Sequence, residues 1–192
     1  MDASGSVTTK SFVEQKTFIK SMAKIFRISS AGPRASAIVY SSDSYWVFNF
    51  NEFLSMKEFN NRIDAATLLG HSRRIDRALH FSYQMFSNTG RPGPKVLVLF
   101  TFGEESAEPG SRPLKEAIGP LRLIGVKTYV IAVGHTAKRK NLLSLVEIPK
   151  DLFVIKNVQS LQNTTEVFAK YVFSTYGKMN KNLFVNSSSL QT

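Results

Sequence analysis

The chain has 192 residues, 43% of them hydrophobic and 15 of them Phe, which is enough for one domain with a sizeable core and too apolar for a largely disordered chain. It contains no cysteine, which excludes disulfides, cysteine-ligated zinc, iron–sulfur clusters and a thiol nucleophile while leaving the redox compartment open. The longest apolar run, around Val96 to Phe100, is strand-sized, so these residues hold no membrane-spanning helix. The net charge of +11 divides almost evenly between the two halves, with its densest clusters at Arg73, Arg74 and Arg77 and at Lys138, Arg139 and Lys140. A solvated basic face is the first reading of that surplus, and a site for an acidic polysaccharide on Arg73, Arg74 and Arg77 is the second.

In chain order, Phe12, Ile19, Met22, Ala23 and Phe26 recur at helical spacing, predicting an amphipathic helix from about Lys10 to Phe26 that stops before Gly32 and Pro33. Ala35 to Tyr40 and Tyr45 to Phe50 flank a Ser41-Ser42-Asp43-Ser44 turn and read as an antiparallel hairpin at one edge of a sheet. Helices follow over Ser55 to Ala65 and, past Gly70, over the stretch carrying Ile75, Ala78, Leu79, Met85 and Phe86. Lys95 to Phe102 is apolar on both faces, as an interior parallel strand requires. A helix over Leu114 to Leu123, a strand over Lys127 to Val133, a helix over Lys138 to Leu145, a short strand over Asp151 to Ile155 and a helix over Leu161 to Tyr176 complete the alternation. Residues 177–192 are polar and read as a flexible tail.

This order predicts an α/β fold: a three-layer α/β/α sandwich around a doubly wound, mostly parallel sheet with one antiparallel edge strand. Ligands of such sheets bind beyond the carboxyl ends of the strands, which directs attention to the loops Asp2 to Val7, Leu69 to Arg74 and Thr101 to Ser106. Asp2, Ser4 and Ser6 stand in D-x-S-x-S spacing, three hard oxygens suited to Mg²⁺ or Mn²⁺, although Ser and Asp also serve as turn and cap residues. Catalysis has little support. His71, His80 and His135 share no metal-ligand spacing, His135 at a strand end has no base partner, and no nucleophile elbow or P-loop occurs. The expectation is a protein that is not an enzyme and does not bind nucleic acid.

Met-Asp-Ala-Ser-Gly-Ser-Val at 1–7, the hairpin, Gly70-His-Ser-Arg-Arg-Ile-Asp-Arg-Ala-Leu at 70–79 and Val-Leu-Val-Leu-Phe-Thr-Phe-Gly at 96–103 together resemble a von Willebrand factor type A domain over about residues 1–176. The resemblance implies a Rossmann-like fold and a metal-ion-dependent adhesion site, where a bound cation is completed by a partner's carboxylate. Asp2, Ser4 and Ser6 match the first motif of that site. The family's threonine position falls on Arg73, or on Ser72 if the loop is one residue longer, and its aspartate position falls on Phe102. Phenylalanine offers no lone pair, so a Mg²⁺ or Mn²⁺ site on Asp2, Ser4, Ser6 and Ser72 is degenerate, and the cation is expected to be weak or absent. Glu104 or Glu105 is the remaining candidate to bring a carboxylate back.

The resemblance also implies an apolar first strand in the middle of the sheet, of which only Met1 and Asp2 are present; the chain is expected to be a fragment, and its lack of a signal peptide carries no weight. Arg74-Ile-Asp-Arg-Ala-Leu79 resembles secreted members of the family, implying an extracellular matrix module that binds a protein such as a collagen through the rim of its sheet. A basic polyanion-binding matrix protein and an intracellular scaffold of the same fold are the alternatives. Asn163 and Asn186 stand in N-x-S/T acceptor triplets, with a helix-start role the competing reading for Asn163.

Overall fold

A computed structural model describes residues 1–29, 31–52, 55–90, 92–134 and 139–187, with residues 139 and 176–187 as backbone alone. The elements are α1 (Thr9–Ile25), β1 (Ala37–Tyr40), β2 (Ser44–Phe48), α2 (Met56–Ala65), α3 (Ile75–Ser87), β3 (Lys95–Thr101), α4 (Leu114–Ala117), α5 (Gly119–Leu123), β4 (Val126–Val133), α6 (Arg139–Leu143), β5 (Leu152–Ile155) and α7 (Ser160–Ser187). Two helix boundaries differ from expectation. The helix over Leu114 to Leu123 is broken into α4 and α5, because Pro120 has no N–H to donate to the Glu116 carbonyl one turn earlier. The last helix runs on past Tyr176 to Ser187, since a single Gly177 costs only about 1 kcal/mol in a helix that is already propagating.

β3, β4 and β5 form a parallel sheet in that order, and β1 pairs β2 antiparallel. Alternation along β4 builds both layers. Val126, Val130 and Ala132 pack with Ile75, Leu79, Ile118 and Leu121 under α3 to α5, whereas Tyr129, Ile131 and Val133 pack with Phe18, Phe168 and Val172 under α1 and α7. A third cluster, including Val39, Phe48, Phe59 and Ile63, seats α2 and the hairpin beside α1.

The hairpin is not the edge of a continuous sheet. It forms a sheet of its own, joined to the first loop by a parallel bridge between Asp2 and Tyr40 and to β3 by the Tyr40 hydroxyl, which donates to the Phe100 carbonyl at 2.6 Å. Between β1 and β3 lies a slot of about 780 Å³, lined by Phe18 and Met22 of α1, Val96 and Val98 of β3, Ile38 of β1 and Val172 of α7. The Met1 amine is buried at its end and donates to the Ile38 carbonyl at 2.8 Å; desolvation lowers its pKa to about 5.

Candidate functional site

Three loops meet at the carboxyl end of the parallel sheet. Ala3 N donates to the Tyr40 carbonyl, Leu69 N and Gly70 N both donate to the Ala3 carbonyl, and Gly5 N donates to the His71 carbonyl, which sews the first loop to the second. Gly70 and His71 both adopt positive φ, turning the chain sharply ahead of α3. The second loop is sewn to the third: Ser106 N donates to the Arg73 carbonyl at 2.8 Å, and Arg73 N donates to the Ser106 hydroxyl at 2.8 Å.

Asp2 sits at the centre, fully buried. Its Oδ2 accepts from Arg73 Nε at 2.7 Å and from Phe102 N at 2.9 Å, and its Oδ1 accepts from Ser4 N at 3.0 Å. Its backbone is gripped by Gln15, whose side-chain oxygen accepts from Asp2 N at 3.0 Å and whose amide donates to the Asp2 carbonyl at 2.8 Å. Arg73 spreads its guanidinium across the loops, with Nη2 donating to the Ser6 hydroxyl and Nη1 to the Glu104 carbonyl at 3.2 Å. A Cβ on Gly103 would lie 2.5 Å from Arg73 Nη1, so only glycine there leaves room for this guanidinium. The Ser4 hydroxyl is buried with no hydrogen-bond partner.

A divalent cation does not fit this donor set. Asp2 is the buried carboxylate at its centre, both of its oxygens are engaged, and the Arg73 guanidinium lies between Asp2 and Ser6. Among the described residues no group of three or more His, Cys, Asp or Glu could hold a metal. Three expectations are corrected. Ser72 is no ligand of the Asp2 cluster, because its hydroxyl donates to the Glu108 carboxylate. Glu105 does not return a carboxylate to Asp2: its Oε2 accepts from Ile75 N at 2.5 Å and Asp76 N at 3.3 Å, capping a helix that lacks a side-chain cap of its own. Glu104 reaches the cluster through its carbonyl. Phe102, at the family's aspartate position, packs its half-buried ring against the apolar clusters under α1 and beside the hairpin.

The arginines do not form the basic patch either. Arg73 and Arg74 are buried, the latter held by two 2.8 Å hydrogen bonds to Asp76 with Glu105 and Glu108 nearby. Of the three only Arg77 is exposed, and it pairs with Asp43 at 3.2 Å. In the second cluster Lys140 is exposed, while Lys138 and His135 lie outside the described residues and Arg139 is described by its backbone alone. Asn163 is an exposed residue inside α7, not at its start, where Asn157 accepts from Ser160 N at 3.1 Å.

Arg74 holds Asp76 ionised, with its pKa well below the usual carboxylate range, while burial and the Asp76 charge push Glu105 up to about 8 against the pull of the two backbone N–H groups. A carboxyl that takes up its proton more readily when folded than unfolded makes the fold lose stability as pH rises from about 4.5 towards 8. Glu105→Gln removes that ionisation. Urea unfolding of variant and wild type at several pH values should show the difference moving in the variant's favour as pH rises from 5 to 8; a constant difference contradicts the assignment.

The von Willebrand factor type A domain family matches residues 1–170, and the chain belongs to that family. It is 30% identical over 165 residues to the collagen alpha-4(VI) chain of Mus musculus, covering 85% of this chain and 7% of the relative. It is also 30% identical over 168 residues to the human collagen alpha-6(VI) chain, covering 84% and 7%; the chain thus spans a small fraction of these relatives. Among solved structures, proximal thread matrix protein 1 of the mussel byssus superposes with a TM-score of 0.81 at 18% identity, over 88% of this chain and 44% of that one. The same mussel protein with a zinc-occupied adhesion motif gives a TM-score of 0.76 at 17% identity, over 87% and 45%. These likenesses establish the α/β sandwich.

Proposed function

We propose that this domain is a non-enzymatic, extracellular matrix module that binds a protein ligand, such as a collagen, through the rim formed by its first, second and third loops. The observation that carries the reading is the mutual pinning of those loops, which presents exposed Gly5, Ser6, His71 and Ala107 on a rigid base. A preorganised rim loses little entropy on binding. Similarity to collagen VI chains supports the matrix setting, and exposed Asn163 is a glycan acceptor in that setting. The polysaccharide alternative loses support from the burial of Arg73 and Arg74.

Biosensor binding to immobilised collagens and to heparin tests this. His71→Asn, which tolerates the positive φ, and Ala107→Arg should weaken collagen binding about tenfold or more. Lys150→Ala, at the opposite end of the sheet, should leave it unchanged. Rim variants that bind as the wild type does, or heparin binding alone with steep salt dependence, contradict the proposal.

A further inference from the structure

We infer that the Arg73 guanidinium is the resident cation of this rim, doing as part of the chain what a divalent ion does where the family's ligand set is complete. The first support is connectivity. One planar group touches Asp2 and Ser6 of the first loop and the Glu104 carbonyl of the third, while its own backbone is bonded both ways to Ser106. A bound ion would tie the same loops together.

The second support is charge. With Phe102 in place of a carboxylate, Asp2 is the buried anion that the fork binds, and a unit positive charge balances it. A divalent ion there would leave one charge uncompensated in a buried site, and Mg²⁺ would have to shed water for a poor ligand set. Space is the third. Gly103 is the residue that a guanidinium in this position requires, since a Cβ would stand 2.5 Å from Nη1. The Ser4 hydroxyl, buried without a partner, is the one hydroxyl of the D-x-S-x-S motif that the fork does not reach, as expected when a planar donor group replaces a spherical ion.

The consequence is a rim that keeps its shape whatever the divalent-ion concentration. Its relevance to ligand binding rests on the rim reading above, but the test uses no ligand, so the two can fail separately. Mn²⁺ is titrated calorimetrically into the wild-type chain and into an Arg73→Thr/Phe102→Asp double variant whose fold is verified by circular dichroism, with thermal unfolding followed in Mn²⁺ and in chelator. The wild type should show no saturable heat and the same Tm in both conditions. The folded double variant, with the fork removed and the carboxylate supplied, should bind Mn²⁺ and gain Tm from it. Saturable wild-type binding abolished by Asp2→Ala overturns the inference, and so does a folded double variant that binds nothing, since the fork would then not be what stands in the ion's place. If the double variant does not fold, the wild-type titration decides alone.

Discussion

Arg73→Ala is expected to lower folding stability by about 3–5 kcal/mol, the cost of leaving a buried carboxylate without its counter-charge. Asp2 is fully buried, and its Oδ2 shares Arg73 Nε with no second side-chain cation among its hydrogen bonds. Two backbone N–H groups remain to it after the substitution, which is why the loss is not larger. Arg73→Lys should fall between wild type and alanine, because an ammonium restores the charge but cannot hold Asp2, Ser6 and the Glu104 carbonyl at once. Urea unfolding checks this, and a change below about 0.5 kcal/mol for Arg73→Ala, the size of an ordinary surface substitution, contradicts the assigned role.

The slot between β1 and β3 gives the second large effect. Joining an extended apolar segment of about five residues to the Met1 nitrogen should stabilise the fold by about 3 kcal/mol or more. Each buried large side chain contributes about 1.5–3 kcal/mol, and the unpaired edge of β3 gains hydrogen bonds, against about 1–2 kcal/mol per ordered backbone residue. The join also turns the buried amine into a peptide N–H that keeps its bond to the Ile38 carbonyl. Its ionisation has a definite sign: an amine whose pKa falls from 8.0 to about 5 on folding makes stability rise with pH across that interval. The extended chain should be more stable and should lose that contribution. An equally long Gly/Ser segment should lose the contribution without the stabilisation, and equal stability for the two extended chains contradicts this account of the slot.

Much of the fold was legible because its signals are local. The double-sided apolar run at Val96 to Phe100, the Ser41 to Ser44 turn and the helical spacing of Ile75, Ala78, Leu79, Met85 and Phe86 each announce their element. Four points escaped. Reading Arg73 as a positive charge near a site that needs a negative one leads to a poor metal site; that the charge itself completes the cluster depends on how a side chain folds back between loops distant in sequence. Glu105 read as a candidate to return a carboxylate to Asp2, and its place at the start of α3 is a tertiary contact across thirty residues. Gln15 did leave a trace: it is a polar residue on the buried stripe of Phe12, Phe18 and Met22, and such a residue needs a buried partner, here the Asp2 backbone. Gly103 left none, since a glycine after a strand is ordinary until something is found to press against it.

The most direct measurement is a crystal structure of the domain grown in Mn²⁺, with anomalous differences collected at the manganese edge. No anomalous peak is expected at the loop cluster, and guanidinium density should lie between Asp2 and Ser6. A manganese peak ligated by Asp2, Ser4 and Ser6, with Arg73 turned out to solvent, would contradict this.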